Sequence, residues 1–159
     1  MLYAADGAWQ TKWVCANDSD AYVDGGMYFK QDDKKLYVPA CGYYHISSQI
    51  YFQEDQRDSN GSVATYVSHE VQINRMCNYD DDFVLLRSYS TLVITPTKVG
   101  KATTYIGDVV KMCKGGNIAV HIPNTSNNPC CPYGSSETTY LSVILISDTT
   151  CEAPKSYGD

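Results

Sequence analysis

The chain has 159 residues, a mass of 17.7 kDa and a formal net charge of −6 at pH 7, and 43% of its residues are hydrophobic. This length fits one ordinary domain with a core of its own. The acidic balance leaves no broad cationic surface for nucleic acid or anionic membranes, and no apolar run reaches the roughly 18 residues that a membrane span needs.

Short segments rich in Val, Ile, Thr and Tyr, separated by Gly, Asn, Asp and Pro, predict an all-β protein. No internal repeat or linker divides the chain, so we expect a single domain. In chain order the predicted strands are residues 9–14, 27–30, 35–38, 42–53, 63–73, 83–89, 103–112, 117–123 and 138–147.

The segment 42–53 is the clearest strand, because its residues alternate between two faces along the whole run. One face is mainly apolar and belongs in the core: Tyr44, Ile46, Ser48, Ile50 and Phe52. The opposite face mixes aromatic and polar side chains: Tyr43, His45, Ser47, Gln49 and Tyr51.

The last predicted strand, 138–147, is apolar on both faces. Tyr140, Ile144 and Ile146 lie on one face, and Leu141, Val143 and Leu145 lie on the other. Such a strand must be covered twice, once by the core of its own domain and once by a second layer. A neighbouring chain or a folded-over loop would serve equally well, and the residues alone leave both open.

Cysteines and glycosylation motifs indicate an oxidising compartment. Seven cysteines without a Cys-x-x-Cys pair or zinc-site spacing favour disulfides, and the odd number leaves at least one thiol free or paired between chains. Glycosylation motifs begin at Asn17, Asn60 and Asn124. Residues 1–10 lack the features of a signal peptide, so we expect either a cytosolic protein or the extracellular part of a longer one.

The sequence contains no arrangement typical of an enzyme. His69 and Glu70 are neighbours on a predicted strand and therefore point to opposite faces. The glycine pairs at 25–26 and 115–116 precede strands, which makes them turn residues rather than phosphate-binding loops. The acidic run 80–82 lacks the ligand spacing of a calcium loop. We therefore expect no catalytic site, no metal and no cofactor.

Three successive segments carry a resemblance to a known family. They are Gly26-Met27-Tyr28-Phe29-Lys30, Lys35-Leu36-Tyr37-Val38-Pro39 and the run GYYHISSQIYF at 42–52. This succession resembles the signature of the tumour necrosis factor (TNF) ligand superfamily, in which a hairpin with a Val-Pro corner leads into a Gly-Tyr-Tyr strand containing Ser-Gln. The similarity covers roughly residues 2–147, so we expect residues 1–147 to form the domain and 148–159 to form a C-terminal tail.

The resemblance implies a ten-stranded jelly-roll β-sandwich that forms a homotrimer and binds cysteine-rich receptors between protomers. The matching trimer-facing positions are Tyr43, His45, Ser47, Gln49, Tyr51, Tyr105, Tyr140 and Ile146. His45 and Ser47 stand where large apolar or aromatic side chains are usual. Three copies of His45 near the axis lead to the hypothesis of a metal site or a pH-sensitive trimer. The zinc-binding cysteine of some members falls near Val93 here, so that site is absent.

For receptor binding, the resemblance points to Tyr79, in a loop where several family members place a receptor-binding tyrosine. Beside it, Asp80, Asp81 and Asp82 would attract a basic patch on the receptor. The alternative interpretation of this run is a solvated acidic turn.

The resemblance also implies where the cysteines lie. Cys41, Cys77, Cys113 and Cys151 are expected at one pole of the sandwich, and Cys130 and Cys131 at the other; Cys15 is left without a placement. Cys41 with Cys113 is the first expected disulfide, because their strands should be adjacent and antiparallel. The three glycosylation motifs fall in loops away from the axis and from Tyr79.

The implied protein is an extracellular cytokine ligand, either the outer part of a type II membrane protein or a released form. Two other binding modules stay open. A complement-type globular head is also a trimeric jelly roll, but it usually follows a collagen-like stalk, and no Gly-X-Y repeat occurs here. A lectin-like jelly roll is compatible with Tyr79 and its neighbouring aspartates. Ser48-Gln49 favours the cytokine.

Overall fold

The structure is a computed structural model that describes residues 3–4, 13–14, 25–30, 32–54, 63–77, 83–95, 98–123, 131–132 and 139–150. Within these ranges all regular structure is β, in eleven strands that form two larger antiparallel sheets and one small pair. The all-β prediction is therefore confirmed. Three of the eleven strands have only two residues, and the count of ten in the implied jelly roll stays a prediction.

The first sheet is built around β5 (Gly42–Glu54). Strand β8 (Gly100–Met112) pairs with β5 along its whole length on one edge. On the other edge lie β11 (Tyr140–Asp148), opposite the first part of β5, and β10 (Cys131–Pro132), opposite its end. The strand that is apolar on both faces therefore lies beside the most regular strand of the chain.

The second sheet contains five strands in the order β3 (Tyr28–Lys30), β4 (Lys35–Tyr37), β9 (Asn117–His121), β6 (Val63–Asn74) and β7 (Phe83–Ile94). Every neighbouring pair is antiparallel, and β6 pairs with β7 along the full length of both. A separate pair joins β1 (Tyr3–Ala4) to β2 (Trp13–Val14).

The core lies between the inner faces of the two sheets. From β5 it receives the side chains that alternation assigned to it, and Tyr44, Ile46, Ile50 and Phe52 are fully buried. The buried apolar residues form two clusters, one around Tyr44, Ile46, Val71 and Ile106 and the other around Ile50, Phe52, Val67 and Leu92. Because the clusters take successive inward positions from β5, β6 and β8, they lie one behind the other along the sandwich.

Most predicted strands occur within a few residues of their expected ends. The largest difference is in β7, which continues to Ile94 instead of ending at Tyr89, because Leu92 and Ile94 carry its alternation into the core. The short β10 was not predicted. Of the first predicted strand, only Trp13 and Val14 lie in the described part of the chain.

Candidate functional site

The outward surface of the first sheet exposes large apolar side chains. Val109 on β8 is 50% exposed, Ile144 on β11 is 55% exposed, and Tyr43 and Tyr105 are exposed to a similar degree. We call this surface the apolar face; its members are Tyr43, Tyr105, Val109, Ile144 and Ile146. A folded monomer gains nothing from leaving such a group of side chains in water, which is why contiguous exposed apolar surface usually indicates an interface.

The strand register places polar residues of β5 along the middle of the apolar face. His45 lies between Val109 on β8 and Ile144 on β11. Two residues further along, Ser47 lies between Gly107 and Ser142. The face therefore has a polar centre line with apolar flanks.

Gln49 continues this centre line, between Tyr105 on β8 and Tyr140 on β11. Tyr105 turns back over Gly107, since a Cβ on that glycine would lie 2.7 Å from the Tyr105 hydroxyl oxygen. The glycine thus leaves room for an aromatic ring to lie flat on the sheet beside the centre line.

The structure brings together seven of the eight positions implied for the trimer interface, on outward-facing positions of three adjacent strands. The seven are Tyr43, His45, Ser47, Gln49, Tyr51, Tyr105 and Tyr140. Ile146 differs, because a register shift between Leu145 and Ser147 places it in a β-bulge at the edge of the face, where it is 57% exposed. Whether these positions contact another chain stays a prediction.

Two members of the apolar face were absent from the implied set. Val109 follows Tyr105 and Gly107 on the outward side of β8, and Ile144 pairs directly with His45. Alternation alone assigns both to this side. The sequence does not give the strand register, and it is the register that places Val109 and Ile144 beside His45.

A disulfide joins Cys77 to Cys113, with 5.1 Å between their Cα atoms. The expected Cys41–Cys113 disulfide is therefore wrong, although Cys41 does lie at the same pole. The Lys114 amide donates to Cys41 Sγ at 3.4 Å, and Cys41 is itself in a disulfide. Strand adjacency predicted the neighbourhood of the cysteines and not the pairing.

The backbone beyond β6 explains why Cys77 reaches Cys113. Met76 adopts a left-handed conformation (φ 57°), and its amide donates to Asn74 Oδ1 at 3.2 Å. The Cys113 amide donates to the Arg75 carbonyl at 2.8 Å, which ties the end of β6 to the turn after β8. Since these strands belong to different sheets, the disulfide closes one end of the sandwich.

The sequence model of the TNF (Tumour Necrosis Factor) family matches residues 11–146. The chain belongs to this family. Members of the TNF family are non-enzymatic cytokines that typically form trimers and bind TNF receptors. These ligands are either extracellular or anchored to the membrane. No curated protein matches the chain in a direct sequence comparison. Within the described ranges, no helix is long and apolar enough to cross a membrane.

On the second sheet of this TNF-family domain, charged groups form a compact cluster rather than a reactive site. Glu70 is nearly buried, forms an ion pair with Arg87, and has Oε2 3.7 Å from His121 Nδ1. Arg87 also donates to the Tyr89 hydroxyl at 3.0 Å, and these hydrogen bonds to Tyr89 and Glu70 raise the pKa of the guanidinium despite its partial burial. His69 contacts Thr104 in the core whereas Glu70 faces Arg87 and His121, so the two neighbours point to opposite faces, as predicted.

A second polar contact stabilises the hairpin between β3 and β4 of the TNF-family domain. Tyr28 and Tyr37 stack with 5.0 Å between ring centroids, and the Tyr37 hydroxyl donates to Asp33. That hydrogen bond lowers the pKa of Asp33 and raises the pKa of Tyr37. The contact holds a turn together and offers no nucleophile.

Several predicted sites lie outside the described residues. They include the receptor-binding candidates Tyr79, Asp80, Asp81 and Asp82 and the glycosylation candidates Asn17, Asn60 and Asn124. In the described part of one chain, no three His, Cys, Asp or Glu side chains are grouped to hold a metal ion. The hypothesis about His45 concerns three copies of the chain and stays a prediction.

Proposed function

We propose that this domain is an extracellular TNF-like cytokine ligand that forms a homotrimer and binds cysteine-rich ectodomains of the TNF-receptor family to trigger signalling. The observation that carries the proposal is the apolar face, which needs a second cover that the rest of the described chain does not supply. Family membership supports the same conclusion. No enzymatic activity is proposed.

The free energy available from covering the apolar face favours association. Its five apolar side chains retain between 43% and 57% of their accessible surface. Complete burial of such a side chain contributes about 1.5–3 kcal/mol, so burying the remaining half contributes about 1 kcal/mol each, or about 5 kcal/mol per protomer. Polar contacts along the His45, Ser47 and Gln49 line would then set the orientation of the chains.

A ring of three chains buries the apolar face of every protomer. A heterologous contact, in which each protomer offers its neighbour a different surface, closes into a ring when the rotation between neighbours allows it. The small side chain of Ser47 lets neighbours approach closely at the centre of the face, and the Tyr105 ring beside it lies over Gly107 and offers an aromatic surface. These features support a trimer with β5 nearest the axis.

We assign receptor contact to Tyr79, with Asp80, Asp81 and Asp82 as the charged surround. A tyrosine provides apolar area and a hydroxyl at a low cost in side-chain entropy, and such residues often dominate binding energy at interfaces. The acidic run would speed association with a basic receptor surface at low salt. The Cys77–Cys113 disulfide fixes the chain directly before this run.

An extracellular location, as a type II membrane protein or a released form, is part of the proposal. The Cys77–Cys113 disulfide supports it, because disulfides persist in oxidising compartments. Glycosylation at Asn17, Asn60 and Asn124 would agree with it.

The test of assembly is the mass of the non-reduced protein in solution at neutral pH, measured by light scattering. A trimer has three times 17.7 kDa, or about 53 kDa. Ile144→Lys places a charge in the middle of the apolar face and should give a folded 17.7 kDa monomer, because the charge would have to be buried without a partner. Tyr66→Lys is the matched control, since Tyr66 is 72% exposed on the other sheet. A monomeric wild-type protein, or a trimeric Ile144→Lys variant, would contradict the assignment of this face.

The receptor assignment is tested separately, by binding to a panel of purified TNF-receptor-family ectodomains. Tyr79→Ala should weaken binding to any recognised receptor by about 2 kcal/mol, or roughly 30-fold, with the trimer intact. Tyr66→Ala, which removes an exposed tyrosine elsewhere, should bind like the wild-type protein. Unchanged affinity in the Tyr79 variant refutes the role of this residue without affecting the trimer.

A further inference from the structure

A layer of polar side chains crosses the middle of the sandwich and separates the two apolar clusters. On β5, Ser48 lies between Ile46 of one cluster and Ile50 of the other. His69 occupies the corresponding place on β6, and Thr104 occupies it on β8. All three polar residues are at most 1% exposed. The polar layer therefore lies between the two apolar halves of the core on these three strands, while Val120 on β9 packs against both halves.

One hydrogen bond in this layer joins the two sheets. His69 Nδ1 lies 2.6 Å from Thr104 Oγ1, and that hydroxyl in turn lies 3.4 Å from the Ile50 carbonyl oxygen. The Thr104 hydroxyl thus links the imidazole of β6 to the backbone of β5, and the direction of the His69–Thr104 hydrogen bond depends on which ring nitrogen carries the proton.

The surroundings of His69 offer little to a second proton, since the Ser48 backbone is the one group that favours the protonated ring. His69 Nε2 and Ser48 Oγ are both buried without a hydrogen-bond partner among the described residues. Protonation of His69 would therefore place a positive charge between the sheets, beside a hydroxyl and apolar side chains, with no opposing charge.

No ionised group faces His69 from the elements packed against it, within the described residues. On β5 the core-facing titratable group is Tyr44, whose hydroxyl donates to the Ala40 carbonyl. On β8, Asp108 is paired with Ile46 but is exposed, and it accepts a hydrogen bond from the Val109 amide. On β6 itself, Glu70 points away from the core, toward its ion-pair partner Arg87 on β7 and toward His121 on β9.

We propose that His69 and its polar layer form an acid-sensitive switch in the core, through which acidification weakens the contact between the two sheets. A charged imidazole between the two sheets would require water around it. Water can reach this position, between β6 and the paired strands β5 and β8, only when the sandwich opens. The domain is then stable in neutral extracellular fluid and loosens in acidified compartments after uptake.

The direction and size of the effect follow from the titration of His69. Burial, opposed by a weaker backbone interaction with Ser48, lowers its pKa from 6.5 to about 4. The unfolded chain therefore binds more protons than the folded chain below about pH 6.5, and stability falls as the pH falls from there to about 4. Between pH 7.4 and 5.0 this single group increases the unfolding equilibrium constant about 25-fold.

The test is urea unfolding of the non-reduced protein at pH 7.4 and 5.0, at one protomer concentration. His69→Asn keeps a donor toward Thr104 and does not titrate, so the increase in its unfolding constant should be about 25-fold smaller than that of the wild-type protein. His121→Asn removes an exposed histidine and should retain the wild-type increase. Equal pH dependence in the wild-type and His69→Asn proteins would overturn the proposal.

A measurement on the wild-type protein keeps the test decisive if His69→Asn does not fold. The imidazole C2 protons of the three histidines are followed by NMR from pH 7.5 to 3.5. The His69 signal should titrate with a midpoint near 4 or disappear with the folded state before titrating. A reversible titration of folded His69 with a midpoint above 6 would refute the switch. The comparison of His69→Asn with the wild-type protein at one protomer concentration isolates the titration of His69. A failed trimer or receptor prediction would leave this difference unchanged, so the two sets of results are distinguishable.

Discussion

Removing the Cys77–Cys113 disulfide should cost this domain a large share of its stability. The bond closes a loop over a sequence separation of 36 residues, and the chain-entropy relation for that length gives about 3.8 kcal/mol at 25 °C. A domain of this size typically has a total stability of about 5–15 kcal/mol. The bond also ties β6 in one sheet to the end of β8 in the other, so its loss frees the end of the sandwich.

The variant for this test is Cys77→Ala/Cys113→Ala, which leaves no new thiol and only a small cavity. Equilibrium urea unfolding without reductant should show a loss of about 2–4 kcal/mol against the wild-type protein. A loss below about 0.5 kcal/mol would mean that the bond does not constrain the unfolded chain.

Peptide mapping gives an independent result on the same bond. Trypsin cleaves the non-reduced chain after Arg75 and Arg87 and on both sides of residues 112–114. The observed pairing predicts a linked species of peptides 76–87 and 112–114. A link from 112–114 to the peptide 36–57, which contains Cys41, would refute this pairing and restore the one that strand adjacency suggested.

Three further variants test the packing and the electrostatics. Phe52→Ala removes a fully buried ring and should destabilise the domain by about 3–5 kcal/mol in urea unfolding, while Tyr66→Ala at an exposed site should change stability by no more than about 0.5 kcal/mol. Gly42→Ala should cost about 1–3 kcal/mol in the same assay, because its Cβ would lie 2.6 Å from the Ser147 carbonyl oxygen; a neutral result would show that the β5–β11 edge yields easily. Tyr37→Phe should raise the pKa of Asp33 toward 3.8 in a carboxyl NMR titration, and an unchanged pKa would mean that the hydrogen bond does not form in solution. Since the wild-type pKa is lowered, the stability that Asp33 contributes is present above pH 3.8 and is lost as the pH falls through the folded value.

The sequence predicted the faces of single strands well, because alternation is a local property. Tyr44, Ile46, Ile50 and Phe52 were assigned to the core from the period of two, and all four are fully buried. The same reasoning stopped β7 too early, since Ser88 and Ser90 hide an alternation that returns at Leu92. Two successive polar residues at inward positions hid the continuation here, whereas a single one, such as Ser48, did not interrupt the prediction of β5.

Pairing between strands could not be predicted in the same way. That Val109 and Ile144 flank His45, and that Cys77 meets Cys113, depend on the register and on turns such as the one at Met76. These contacts join residues far apart in the chain, and many registers are compatible with the same alternation. Resemblance supplied the family and the outward side of the first sheet, whereas the structure supplied the neighbours.

Strand β5 connects the two histidines for which a response to acid is suggested, because one of its faces carries His45 and the other packs against His69. His45 lies on the outward side, at the centre of the proposed trimer interface, while Ser48 on the inward side belongs to the polar layer with His69. If the trimer dissociates in acid, a second measurement distinguishes repulsion between His45 side chains from protonation of His69. Repulsion between His45 side chains would give folded monomers whose β6 amides keep their protection from hydrogen exchange, because the core stays packed. Protonation of His69 would lower that protection together with the mass, because the inner face of β5, the strand that carries the interface, loses its packing.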